Sequence, residues 1–201
     1  MEISAVFFDV GGVLLTNGWD RHGRRQVIDQ FGLDWEEFRD RHDFVAEYFE
    51  TGRMTLDEYL HRTVFYRERP FAQTDFESAM KAASEELPGS LDVVRELHDR
   101  GIFLATLNNE SRELNEHRIA EFGLRSLFNV FLSSCYLGVK KPDAPIYRMA
   151  LELTQRSTGE VLFVDDRDLN IECAIDVGMH GIHFDSPEQL RQELVEHGLL
   201  D

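Results

Sequence analysis

At 201 residues the chain exceeds the usual single-domain size, so it can bury a sizeable core and still carry a small accessory module. Its formal net charge of −17 sets a repulsive field against nucleic acid, which binds chiefly through phosphate neutralisation, and nucleic acid is therefore not an expected partner. The same field opposes an anionic substrate, so a site that handles phosphate needs local cations of its own.

From Met1 to Asp9 the apolar run is too short for the core of a signal peptide, and Glu2 stands where a basic residue would be expected. No stretch approaches the roughly 18 apolar residues of a membrane helix, so a soluble, cytoplasmic protein with no membrane partner is expected. Ile3 to Phe8 is continuous, apolar and β-favouring, which predicts a strand buried on both faces. It ends at Asp9, followed by Gly11 and Gly12, where backbone amides can approach a bound anion. A carboxylate at that rim can act as nucleophile or metal ligand; in isolation the same pattern is also that of a loop cap.

Residues 16–86 differ in texture. They are rich in charge and aromatics, with helical spacing and no convincing strand. This segment is expected to be an inserted helical cap domain, dividing a core formed by 1–15 and 87–201. Within it Val27 and Phe31, and Phe44 and Tyr48, lie four apart and are expected to pack the core of the insert, while Thr55 and Glu58 form a capping box at a helix start. Trp19, His22, Arg24, Phe44 and Tyr48 are the candidates for contact with a substrate, and the histidines are expected to pack or face solvent, since none has paired spacing near the aspartates.

After Pro88-Gly89 the chain alternates. Helical patterns over 90–100, 111–122, 143–154 and 168–177 precede or follow short apolar runs at 102–107, 130–133, 161–164 and, more weakly, 181–184, and Pro187 opens a closing helix. This alternation predicts an α/β fold with a doubly wound parallel sheet. Ligands in such sheets bind beyond the carboxyl ends of the strands, which directs attention to Asp9, Asn108, Lys141, Asp165 and Asp166. Two adjacent carboxylates at the end of a buried strand repel each other, and a divalent cation removes that cost. Magnesium takes oxygen ligands and commonly one or two protein carboxylates, which suits Asp9 with Asp166, supported by Asp165. Lys141, fixed before Pro142, balances the carboxylates and can hold a phosphate; Asp143 can cap the following helix. Cys135 and Cys173 have no CxxC spacing, and are expected to be reduced thiols that build neither a disulfide framework nor a zinc site.

Taken together, FFDVGGVLL, LATLNNES, LGVKKPDAPIY and VLFVDDRDLNIECAIDVGM resemble, in order and spacing, the four motifs of the haloacid dehalogenase-like hydrolase superfamily, with PGSLDVVRELHDRGI before the second. The insert after the first motif is similar to the C1 cap subclass. The resemblance implies a magnesium-dependent phosphatase in which Asp9 attacks phosphorus and forms an aspartyl-phosphate, Lys141 stabilises nucleophile and phosphate, and Asp166, supported by Asp165, and the carbonyl of Gly11 ligate Mg2+. It also implies that Asn108 and the amide of Asn109 bind the phosphate of a small phosphomonoester, with sugar phosphates the expected class. It carries no oligomeric state. The chain departs from the commoner pattern at Gly11, where the family places a second aspartate as general acid and base. Glu110, Asp168 and Glu50 are the carboxylates available to supply that proton. At the second motif Asn108 replaces Ser or Thr, and its amide can still donate to a phosphate oxygen. The rival readings are a phosphate-binding or regulatory protein with weak turnover, a 2-haloacid dehalogenase and a phosphomutase.

Overall fold

The computed structural model describes residues 2–201; Met1, at which the expected core segment 1–15 begins, lies outside the described residues. β1 (Ala5–Phe8), β2 (Phe103–Asn108), β3 (Val130–Ser133), β4 (Val161–Asp165) and β5 (His180–His183) form one sheet in the order β3-β2-β1-β4-β5, with every adjacent pair parallel. The strands fall where the apolar runs predict, shifted at their ends by one or two residues. The first begins at Ala5 rather than Ile3, and the weak last run moves one residue earlier to begin at His180.

Helices cover both faces because the strand side chains alternate between two apolar clusters. Val6, Phe8, Leu104, Leu162 and Val164 face one side, where α5 (Ser90–Asp99) and α10 (Pro187–Glu196) supply Leu91, Leu97, Leu190 and Leu194. Ala5, Phe7, Ala105, Leu107 and Phe163 face the other, against Ile146 and Tyr147 of α8 (Ala144–Thr154) and Ile171 and Ala174 of α9 (Asp168–Asp176). α6 (Arg112–Glu121) and the short α7 (Ser134–Leu137) flank β3 in sequence. The sheet runs from β1 in opposite directions toward β2 and β4, which makes the end of β1 the topological switch point.

Between β1 and α5 lie α1 (Arg21–Gln30), α2 (Trp35–Glu50), α3 (Leu56–Thr63) and α4 (Gln73–Ala82), with no strand among these described residues. They share a third apolar cluster that includes Trp19, Ile28, Phe38, Phe49, Tyr59, Leu60 and Phe76, together with Leu114 of α6. The expected capping box at Thr55 is present: its side chain accepts from the Glu58 amide, and Glu58 accepts from the Thr55 amide. The segment leaves and rejoins the sheet at adjacent points: the amide of Thr16 donates to Glu85 O at 2.8 Å and that of Leu87 to Leu14 O at 3.0 Å.

One expected core pair is corrected. Phe44 and Tyr48 are exposed, at 79% and 49%. The buried stripe of α2 is instead Trp35, Phe38, His42, Val45 and Phe49, so the four-residue spacing of Phe44 and Tyr48 marks the outward face; there the Arg53 guanidinium lies 4.6 Å from the Tyr48 ring centroid. Both cysteines are free thiols, and no described helix is long and apolar enough to cross a membrane.

Candidate functional site

The parallel register that pairs Phe8 with Val164 and with Thr106 brings the residues after β1, β2 and β4 to one edge of the sheet. Asp9 is fixed there by its own amide, which donates to Val164 O at 2.8 Å, and by its Oδ1, which accepts from the Val10 amide at 2.7 Å. Lys141 reaches in from the loop between α7 and α8. Its Nζ lies 3.0 Å from Asp9 Oδ1 and 2.5 Å from Asp165 Oδ2, and its side chain is almost wholly buried.

Asp9, Asp165 and Asp166 each place a carboxylate oxygen within 4.8 Å of the others. Three carboxylates therefore face one ammonium, and burial of that excess negative charge shows in the titration of the group. Burial pushes Asp9 up to about 7; the Lys141 charge opposes this and the Asp165 charge adds to it. Burial, and then Asp165, also raise Asp166. Lys141, although burial works against its charged form, is held above the ordinary lysine range by Asp9 and Asp165.

The two adjacent aspartates differ in what they have left to offer. Asp165 Oδ1 accepts from the Arg167 amide and Asn170 Nδ2, and its Oδ2 from Lys141 and Asn170 Nδ2. Asp166 Oδ1 is buried with no hydrogen-bond partner among the described residues. An orphaned buried carboxylate oxygen beside an unneutralised charge is what a hard divalent cation with oxygen ligands satisfies, so the residues present fit magnesium. Gly12 makes this approach possible. It sits at φ +81, and a Cβ there would stand 2.3 Å from Asp166 Oδ2.

The other expected residues are brought close with different duties. The Asn109 side chain clamps the backbone of Lys141, its Nδ2 donating to Lys141 O at 2.8 Å and its Oδ1 accepting from the Lys141 amide at 2.9 Å. Asn108 is buried and gives one Nδ2 hydrogen to Asn115 Oδ1 at 3.0 Å, with Asn108 Oδ1 unpaired among the described residues. Gly11, Asp9, Asn109 and Lys141 line a cavity of about 540 Å³ that extends under the helical segment. Trp19, Arg24, His42, Phe49 and Glu50 line it from that side. Of the proposed substrate contacts, Trp19 and Arg24 face this cavity, whereas His22, Phe44 and Tyr48 do not. Of the three carboxylates considered as proton donors, Glu110 and Glu50 line it and Asp168 does not.

Four residues escaped the sequence reading. Arg118 of α6, buried, pairs with Glu110 at 3.2 Å and donates from Nε to Ser84 Oγ at 2.9 Å. A Cβ at Gly11 would lie 3.6 Å from its Nη1 and 3.2 Å from Asn17 Oδ1, and Asn17 also hydrogen-bonds Asp166. Asn170 braces Asp165 from the first turn of α9. His42 is buried in the α2 stripe and accepts or donates at Tyr59. Only Asn170, placed five residues after Asp165 at a helix start, carried a local signal; the others depend on which helix folds over the site.

The profile of haloacid dehalogenase-like hydrolases matches residues 3–178 of the chain. Among curated proteins, mouse acyl-CoA dehydrogenase family member 10 is 26% identical over 206 residues, covering 94% of this chain, which spans only 18% of that protein's length. The sesquiterpene phosphatase astK of Aspergillus oryzae is 28% identical over 194 residues, covering 90% of this chain and 89% of its own. Among solved structures, an HAD family enzyme of Bacteroides thetaiotaomicron superposes with a TM-score of 0.82 at 19% identity, over 96% of this chain and 99% of its own. The same enzyme has been crystallised with magnesium and inorganic phosphate; that form superposes with a TM-score of 0.77 at 18% identity over 91% and 94% of the two chains.

Proposed function

We propose, since the chain belongs to the haloacid dehalogenase-like hydrolase family, that it is a magnesium-dependent phosphatase of small phosphomonoesters working through an aspartyl-phosphate on Asp9. This reading rests above all on one arrangement: Lys141 Nζ held between Asp9 and Asp165 at the switch point, beside an Asp166 oxygen with no partner among the described residues. A relative named as a phosphatase and a fold neighbour crystallised with magnesium and phosphate support it.

Asp9, Asp166 and the carbonyl of Gly11 would hold the ion, with Asp165 in support as the residue that anchors Lys141. When bound, magnesium supplies a Lewis acid that offsets the charge of a phosphoryl group. The Asp9 carboxylate attacks phosphorus, the bond from phosphorus to the ester oxygen breaks, and the alcohol departs. Glu110 and Glu50, which line the cavity, are the carboxylates available to give the departing oxygen its proton. Water then cleaves the acyl phosphate, releasing inorganic phosphate and restoring Asp9. Lys141 Nζ and the amide of Asn109 bind the phosphate oxygens, and Asn108 supports them from behind the cavity wall. Residues 1–15 and 87–201 form the catalytic core in this reading, and 16–86 the cap that meets the leaving group.

The experiment is phosphate release from a panel of phosphomonoesters, including para-nitrophenyl phosphate, with and without magnesium, on wild type and Asp9→Asn. Release that requires magnesium and falls by about 10³-fold or more in Asp9→Asn is expected. Release undiminished in Asp9→Asn would overturn the covalent route, and silence of the wild type across the panel would favour a phosphate-binding relative. The orphaned Asp166 oxygen disfavours dehalogenase chemistry, which attacks carbon and needs no metal.

A further inference from the structure

The cavity holds more than a phosphate needs, and its far wall has its own pattern of donors. Trp19 Nε1 donates to the Tyr59 hydroxyl at 3.0 Å, and that hydroxyl lies 2.9 Å from His42 Nδ1. Tyr59 is fully buried, so its hydroxyl hydrogen requires an acceptor, and His42 Nδ1 is the one in reach. This hydrogen-bond order assigns the imidazole N–H to Nε2, on a histidine that lines the cavity. The ring is neutral: burial, then the charges of Arg24 and Lys140, bring its pKa down to about 3.

Arg24 lines the same wall. Its Nη1 donates to Trp19 O at 2.6 Å, while its Nε is buried with no hydrogen-bond partner, and no ion pair engages it among the described residues. Lys140, on the facing loop, is paired with Glu50 at 2.8 Å. Arg24 and His42, whose Nε2–H has no acceptor among the described residues, thus line the same cavity as Asp9 and Lys141, together with the carboxylates of Asp20 and Glu50 and the Lys140 that Glu50 pairs. A sugar hydroxyl both donates and accepts, whereas a carboxylate or phosphoryl oxygen accepts only, and a guanidinium matches such groups best.

We propose that Arg24, with the Nε2–H of His42, forms a subsite for a second anionic group on the alcohol portion of the substrate. The substrate class is then phosphomonoesters that carry a further carboxylate or phosphoryl group. This rests on the phosphatase reading for the position of the first phosphate.

The test is calorimetry with magnesium present, comparing 3-phosphonopropionate and propane-1,3-bisphosphonate with propylphosphonate, on wild type, Arg24→Gln and Arg24→Lys, each checked for cooperative melting. Wild type is expected to favour at least one of the doubly anionic ligands by about tenfold, the scale of one charge-assisted contact. The preference falls toward unity in Arg24→Gln and is partly kept in Arg24→Lys. Which ligand gains separates a carboxylate from a phosphoryl subsite. Equal binding of all three by wild type, or a preference that survives Arg24→Gln, overturns the proposal. The phosphomonoester panel is assayed alongside: absent phosphate release across all of it overturns the phosphatase reading, while the ligand preference is decided by the calorimetry alone.

Discussion

Asp9 shows how a single buried group ties stability to chemistry. In the metal-free protein burial places its pKa at about 7, against an ordinary value of 3.8, so the folded state holds the proton more tightly than the unfolded one. Its contribution to stability is therefore fully present below pH 3.8 and lost as pH rises through about 7. In the proposed site magnesium would compete with that proton for the carboxylate. Thermal unfolding should accordingly show magnesium raising Tm by a few degrees more at about pH 8 than at about pH 5, with the difference flattened in Asp9→Asn. A magnesium shift equal at both pH values would sink the argument. The residues of this cluster were legible in the sequence because each directly follows a β-favouring run or precedes a proline, and strand ends are where an open sheet collects its polar groups. Arg118 was not, because an arginine on a largely polar helix looks like any solvated one until α6 is laid against the insert. His42 was hidden for a related reason: it occupies an apolar stripe that a polar residue interrupts in the sequence.

At the scale of elements, the alternation of apolar runs and amphipathic stretches marked out the five strands, since a strand buried on both faces is a continuous apolar run whatever its neighbours are. The insert was harder. An aromatic pair four residues apart fits either face of a helix, and only the packing of α2 against α3 shows that Phe38, His42 and Phe49 point inward while Phe44 and Tyr48 do not. The junction of α3 with the core is built from hydrogen bonds at its first turn. Thr55 caps Glu58 reciprocally, and the Leu56 amide donates to Glu113 Oε1 of α6 at 3.0 Å. Thr55→Ala should cost about 1 kcal/mol in urea denaturation, the usual loss for a removed N-cap. An unchanged midpoint would mean that Glu58 and Glu113 hold this turn without the hydroxyl.

Over the whole molecule, the net charge of −17 and the cations of the cavity act at different ranges. A doubly charged phosphomonoester, the substrate class proposed above, would meet repulsion first and attraction only on arrival. The Debye length falls from about 30 Å at 0.01 M salt to about 8 Å at 0.15 M, which screens the distant field more than the partly buried contacts. Raising ionic strength over that range should increase kcat/KM in stopped assays with a non-binding salt; a steady decrease would show that the cavity's own field governs capture. The way the helical segment joins the sheet has a consequence for how such a molecule can be remade. Because Thr16 bonds to Glu85 and Leu87 to Leu14, both tethers cross at a single narrow neck, and the sheet is built without any strand from between them. Whatever were spliced there would have to present two ends a hydrogen bond apart and also replace the contacts of Ser84 with Arg118 and of Leu56 with Glu113, so only a segment that keeps those few anchors could be exchanged as a cassette.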